Sequence, residues 1–271
     1  FFYSSGWLFE FGPTVLESNV VSKRIPFAPK IGHFLHRLTP IVSVIGLGLS
    51  LLHQSSLGAT YGVLVARPIW FKPSLPVMFI VSAVAAGGAV TLALIIILEN
   101  LRKERQIDST LRANIARFAG LMTLAYLYLK LWDFLATSYY SHLPARAEAQ
   151  SLLDQITPYG DTFWLLEVLL GALIPAIILL TPRFRRQDIW IIAAAALATL
   201  GVITNRWNVT LSGLILPLDW TPGAAALFPA NAYFPSTVEW GVAIGVLGYA
   251  LLMFTLGLRF LPLFPAHDDA H

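Results

Sequence analysis

The chain has 271 residues, 56% of them hydrophobic and only 12% charged, against about 25% charged in a soluble domain, so a water-facing globule is excluded. The net charge of +3 is small, and the basic residues fall in short segments between apolar stretches, which gives no nucleic-acid site. The absence of Cys excludes a Cys-ligated iron–sulfur cluster, a zinc ribbon, a disulfide and a thiol nucleophile.

Seven apolar stretches follow in order: Phe1 to about Val15, Phe34 to about Leu64, Leu75 to Leu98, Ile115 to Thr137, Phe163 to Leu180, Ile189 to about Thr204, and Val238 to Leu261. A helical span needs about 20 residues, with a range of about 17–25. The first stretch is partial. It opens with no basic n-region and no small-residue cleavage site, so it is not read as a signal peptide, and earlier helices are expected ahead of Phe1. The second is long and must tilt or emerge from the bilayer. The sixth is short unless it continues to Trp207. With no strand pattern and no soluble segment, the expected fold is an all-α polytopic transmembrane bundle of about seven spans, one helical domain over residues 1–271.

Orientation follows from Lys and Arg. One side receives 13 of them, in the groups around Lys23, Arg102, Arg185 and Arg259; the other receives 4, namely Arg67, Lys72, Arg146 and Arg206. This bias makes the first side cytoplasmic and places the C-terminus there. The two longest loops, Ser138 to Tyr159 and Asn205 to Thr237, then face the extracytoplasmic side, carrying Trp207, Trp220, Asp154, Asp161 and Asp219. They are the expected docking surface for a partner protein. Small residues (Gly46, Gly48, Ser82, Ala86, Gly87, Gly88) are expected where helices touch, and Pro40, Pro76 and Pro175 near helix starts or kinks.

Ionisable groups at membrane depth are expensive and mark function by default. His53, followed by Gln54, Ser55 and Ser56, lies in the extracytoplasmic half of the second stretch, about 28 Å along it from Phe34. Lys130 and Asp133 fall near the exit of the fourth, Glu167 just inside the fifth, Asn205, Arg206 and Asn208 at the end of the sixth, and Glu239 at the start of the seventh. Polar groups of five stretches thus share one depth, as a pocket opening to the extracytoplasmic side. A neutral imidazole and a carboxylate there can hydrogen-bond the two carbonyls of a quinone and pass protons.

Structural roles compete with this reading. His53 can simply bond a neighbouring helix, and Lys130 with Asp133, three apart on one helical face, can form an internal ion pair. Arg206 and Glu239 read as interfacial or capping groups, and Glu99, close before Arg102 and Lys103, as a solvated helix end. His33 and His36 read as interfacial. Bound haem is not expected: His53 is the sole histidine deep in a stretch, and Met122 and Met253 are poor axial partners.

The run Leu51-Leu52-His53-Gln54-Ser55-Ser56-Leu57-Gly58, followed by Trp70, Pro73 and Leu75-Pro76, resembles the NrfD/HybB family. Phe9-Glu10-Phe11-Gly12-Pro13 and Asn205-Arg206-Trp207-Asn208-Val209 resemble its HybB/DsrP-type branch. The resemblance implies a membrane subunit of a respiratory oxidoreductase complex of the bacterial or archaeal cytoplasmic membrane, in a family of usually nine or ten spans. It implies a quinone (menaquinone or ubiquinone) as substrate, no haem or iron–sulfur cluster in this chain, and an iron–sulfur electron-transfer subunit on the extracytoplasmic side. Such a membrane subunit is not catalytic alone, and proton translocation is left open.

His53, Asp133 and Glu167 are the candidate catalytic groups, and His53, Gln54, Ser55, Ser56 and Arg206 the candidate quinone-binding ones. The motif carries over onto His53 and the serines beside it; Asp133, Glu167 and Arg206 rest on depth. No metal ligands are assigned. A secondary transporter would show an inverted repeat with a midplane site, and neither is seen. A purely structural anchor would tolerate loss of His53.

Overall fold

The computed structural model describes residues 27–65, 70–103, 107–139, 158–215 and 235–260, with isolated positions before them. The first apolar stretch lies almost wholly outside these residues. So do the central parts of the two long loops, 140–157 and 216–234, with Arg146, Asp154, Asp219 and Trp220.

All regular structure among the described residues is helical. Helix α1 is Ala28–Gly62, α2 Leu75–Arg102 and α3 Ser109–Tyr139. Helix α4 is a continuous rod built from Pro158–Asp161, a π-helical stretch Thr162–Leu173, and Ile174–Leu180. A short turn of helix, α5 (Pro182–Arg185), leads into α6 (Asp188–Ile215), and α7 is Thr237–Phe260. Six of these are long and apolar enough to cross a membrane, which makes the chain a multi-pass integral membrane protein. At 35 residues α1 is about 52 Å long, more than the roughly 30 Å hydrocarbon core, in line with its long apolar stretch.

Two helix ends depart from expectation. Helix α6 does not stop at Thr204 but runs on to Ile215, so Asn205, Arg206 and Asn208 belong to a helix and not a loop. Glu99 is not solvated: it is 4% exposed, ion-paired with Arg112, and accepts the Ile107 backbone N–H at 3.0 Å. The expected cap at Glu239 is present, since its carboxylate accepts both the backbone N–H and the hydroxyl of Ser236 at 2.7 and 2.8 Å. Asp108 opens α3, accepting the Thr110 N–H at 2.9 Å; that bond and one from the Thr110 hydroxyl hold its carboxyl below the usual range. Pro76 sits in the first turn of α2, where a missing N–H costs nothing, while Pro175 lies inside α4 where the winding changes from π to α, and Pro40 lies inside α1.

The chain divides into two compact units. One comprises Phe1–Leu52 and Phe234–His271, holding most of α1 and all of α7; both helices present largely exposed apolar side chains. Added methyl groups at Gly46 and Gly48 would meet no described atom within 4 Å, so these glycines do not mark a close helix contact among the described residues. The other unit, His53–Tyr233, holds α2, α3, α4 and α6. Its core is a cluster of Leu92, Ile96, Leu179, Ile191 and the alanines 89, 116, 119 and 194, all fully buried. Small side chains at these positions bring helices close enough for dispersion to hold them, which is what drives association in lipid.

Candidate functional site

Helices α4 and α6 are joined by a short turn and run in opposite directions. They touch at Gly171 and Gly201, where a Cβ on Gly201 would lie 2.5 Å from the Gly171 Cα and 2.8 Å from its carbonyl oxygen. Only hydrogen fits between two backbones at that distance. Four residues before Gly171 lies Glu167; four after Gly201 lies Asn205. The glycine contact therefore sets the register that brings these two side chains together. The π-helical winding around Glu167 is a rare local geometry that occurs often at functional sites.

Glu167 is 1% exposed and its carboxylate is fully engaged. One oxygen, Oε1, accepts the Tyr126 hydroxyl at 3.1 Å and the Asn205 amide at 2.9 Å, and is ion-paired with Lys130. The other, Oε2, accepts the Asn208 amide at 3.0 Å. Tyr126 and Lys130 are one turn apart on α3, and Lys130 also lies over the Phe163 ring at 5.3 Å from its centroid. A buried ion pair is tolerated only when its remaining lone pairs are bonded, and here three neutral donors supply that.

Arg206 extends the network. It donates to the Asn205 side-chain oxygen at 2.7 Å, to the Ser82 hydroxyl at 2.9 Å and to the Phe79 carbonyl at 3.3 Å, with its guanidinium 3.4 Å above the Phe79 ring. It is a bridge between α2 and α6, not a snorkelling group. Asn208 accepts the Thr162 hydroxyl at 2.9 Å, and the Trp70 indole donates to the Val209 carbonyl at 2.6 Å.

Asp133 does not pair with Lys130. It bonds Lys72, in the segment leading to α2, at 3.1 Å, with both side chains 16% exposed. Lys130 instead reaches across to Glu167. Two ion pairs thus replace the single local one expected. Between them lies a cavity of about 50 Å³ lined by Lys72, Asp133, Lys130, Glu167, Trp70 and Asn208 among others. That is room for a few waters and nothing larger. On its outer side Lys72 and Asp133 also line a second, mostly apolar groove of about 340 Å³, with Phe71, Pro73, Leu129 and Trp132. The groove falls within the range of about 300–1,000 Å³ for small-molecule sites.

Of the residues predicted from sequence, the structure joins Glu167 and Arg206 in one network and sets Asp133 at the boundary between cavity and groove. His53 is an exposed residue of α1, with Gln54 and Ser55 half-buried and Ser56 exposed; none of the four lines either cavity. The stretch is tied to the bundle further on, where Gly58 packs against Pro76 and Tyr61 meets the Trp70 ring edge-on at 5.0 Å and the Thr210 hydroxyl at 3.3 Å. Tyr126 and Lys72 are site residues that sequence reasoning misses. Tyr126 is signalled by its one-turn spacing from Lys130; Lys72 is a tertiary partner with no local signal. Among the described residues no group of three or more His, Asp or Glu is placed to hold a metal ion.

Known proteins resemble the chain over most of its length. It is 29% identical to the menaquinone reductase integral membrane subunit of Nitratidesulfovibrio vulgaris, covering 97% of this chain and 62% of that protein. It is 28% identical to the Hdr-like menaquinol oxidoreductase integral membrane subunit of Archaeoglobus fulgidus, covering 85% of this chain and 59% of that one. The chain therefore spans less than two thirds of the length of these curated relatives. Residues 2–217, most of the sequence, match the family described as polysulphide reductase, NrfD, and the chain belongs to that family.

Proposed function

We propose that this chain is the quinone-exchanging membrane subunit of a respiratory oxidoreductase, with the quinone headgroup seated in the groove of Phe71, Lys72, Trp132 and Asp133. The observation that carries the reading is the shared wall: Lys72 and Asp133 line both the 340 Å³ groove and the small cavity that ends on buried Glu167. The names of two relatives, a menaquinone reductase subunit and a menaquinol oxidoreductase subunit, support menaquinone as the substrate.

A quinol supplies two electrons and two protons on becoming a quinone, and the reverse reaction takes them up. The protein's part is to bind and to move protons. The Phe71 and Trp132 rings hold the flat headgroup by apolar contact. The Lys72 ammonium donates to one headgroup oxygen, and the Asp133 carboxylate receives or returns a proton at the same place. Water in the inner cavity connects Asp133 to Glu167, whose charge Lys130 balances. His53, on the strength of its place in the His53-Gln54-Ser55-Ser56 run, is the competing headgroup contact on α1, and Arg206 positions Asn205 and thereby Glu167.

The chain sits in the cytoplasmic membrane of a bacterium or archaeon. The charge bias puts its C-terminus in the cytoplasm and the groove toward the extracytoplasmic side. Electrons pass to or from an iron–sulfur protein docked there, since no Cys is available in this chain to ligate a cluster. Photolabelling of the assembled complex with an azido-menaquinone tests the site. Label on Phe71, Trp132 or their neighbours, displaced by excess menaquinone, supports it; label confined to the His53–Ser56 stretch moves the headgroup to α1.

A further inference from the structure

A third cavity, of about 360 Å³, lies at the opposite end of the bundle from the Lys72–Asp133 pair, where α3 and α6 begin. It is lined by Ser109, Arg112, Ala113, Arg185, Arg186 and Asp188. Arg112 is the half-buried floor: it is ion-paired with Glu99 and donates to Asp188 at 2.5 Å, which spends both terminal nitrogens on carboxylates. Its Nε–H is buried and has no hydrogen-bond partner among the described residues. Arg185 and Arg186, at the end of α5, face the same space, and among the described residues neither has a carboxylate partner. The two carboxylates balance Arg112 and one further cation, so the pocket keeps a net positive charge.

The surroundings identify the ligand. The cavity sits where two spanning helices start, which is the level of lipid headgroups. Trp190, 39% exposed, lies in the first turn of α6 against Phe184, in the interfacial position that Trp favours. Ile189 and Leu111, 67% and 48% exposed, offer apolar surface beside the arginines. We propose that this pocket binds the phosphate of an anionic phospholipid, with Arg185 and Arg186 forking its oxygens and the acyl chains lying against the exposed apolar residues. Guanidinium groups match phosphate geometry in a way lysine does not, and basic pockets between spanning helices select anionic lipids.

The test uses the protein in detergent with its partner proteins. Native mass spectrometry follows retention of phosphatidylglycerol, cardiolipin or phosphatidylcholine, and thermal shift follows each lipid and inorganic phosphate. The expected result is tight retention of the anionic lipids over phosphatidylcholine, reduced on the order of tenfold or more by Arg185→Gln with Arg186→Gln. Arg183→Gln, on the same short helix but outside the cavity lining, should retain lipid normally. Equal retention of phosphatidylcholine by the unaltered protein would overturn the proposal without need of any variant. Inorganic phosphate stabilising the protein as well as the lipids do would overturn it in favour of free phosphate. Undiminished anionic-lipid retention in the double variant would place the lipid elsewhere.

Discussion

Lys130 bonds Glu167 across the bundle, although Asp133 lies only three residues away on the same helix. The choice is physical. Glu167 is completely buried, out of reach of bulk solvent, whereas Asp133 is partly exposed and has Lys72 beside it. A buried charge gains most from a buried counter-charge.

Removing one partner should therefore be costly. Lys130→Met is expected to destabilise the assembled protein by about 3–5 kcal/mol, because Glu167 is left without its cation. Glu167→Gln in the same background should restore much of the loss, since glutamine can still accept from Tyr126 and Asn205. Thermal unfolding of Lys130→Met, Glu167→Gln and the double variant checks this; additive losses would contradict the pairing.

The glycine contact sets up a second expectation. Gly201→Ala introduces a Cβ into the Gly171 backbone, so α4 and α6 must separate. A cost of about 1–3 kcal/mol follows from overpacking, with a larger loss for Gly201→Leu. Quinone turnover should fall as well, through displacement of Glu167 from Asn205. Gly87→Ala, where an added methyl meets no described atom within 4 Å, serves as the control and should leave both readings unchanged.

Arg206 joins α6 to α2 through a guanidinium stacked on Phe79 and two hydrogen bonds, to the Phe79 carbonyl and the Ser82 hydroxyl. Arg206→Lys keeps the charge but loses the fork and the stacking on Phe79, so it is expected to behave nearly as badly as Arg206→Gln in assembly assays. If Lys supports full assembly, charge alone is what the site needs.

The charge bias predicts a cytoplasmic C-terminus. A reporter fused after His271 and active only in the cytoplasm is the expected result. Activity only outside would invert the topology and move the groove, and the iron–sulfur partner proposed for it, to the other face.

The spanning helices are legible in the sequence because an apolar run of helical length has one outcome in lipid, with all its backbone bonds made internally. Part of the expected polar cluster is legible too: Lys130, Glu167, Asn205, Arg206 and Asn208 meet in one network, whereas His53, expected at the same depth, lines neither cavity. What the spacing does not carry is the register between helices. That register comes from the Gly171–Gly201 contact, and two isolated glycines in separate apolar runs do not announce each other. For the same reason spacing favours a local Lys130–Asp133 pair over the tertiary pairs that form, and Glu99 reads as solvated although Arg112 reaches it from the next helix. The family motif around His53 is informative about kinship, but the exposed position of that residue gives it no share in the two cavities.

Turnover of quinone by the assembled Asp133→Asn complex tests the central claim most directly. Asparagine keeps the size of the side chain and removes its ability to take a proton, so the rate should fall by about 10²–10⁴-fold. The proposed iron–sulfur partner should still exchange electrons with its own redox donor or acceptor, which shows that the complex is intact. His53→Ala, measured alongside, distinguishes the groove from α1. A normal quinone rate in assembled Asp133→Asn, with the rate lost only in His53→Ala, would contradict the groove assignment.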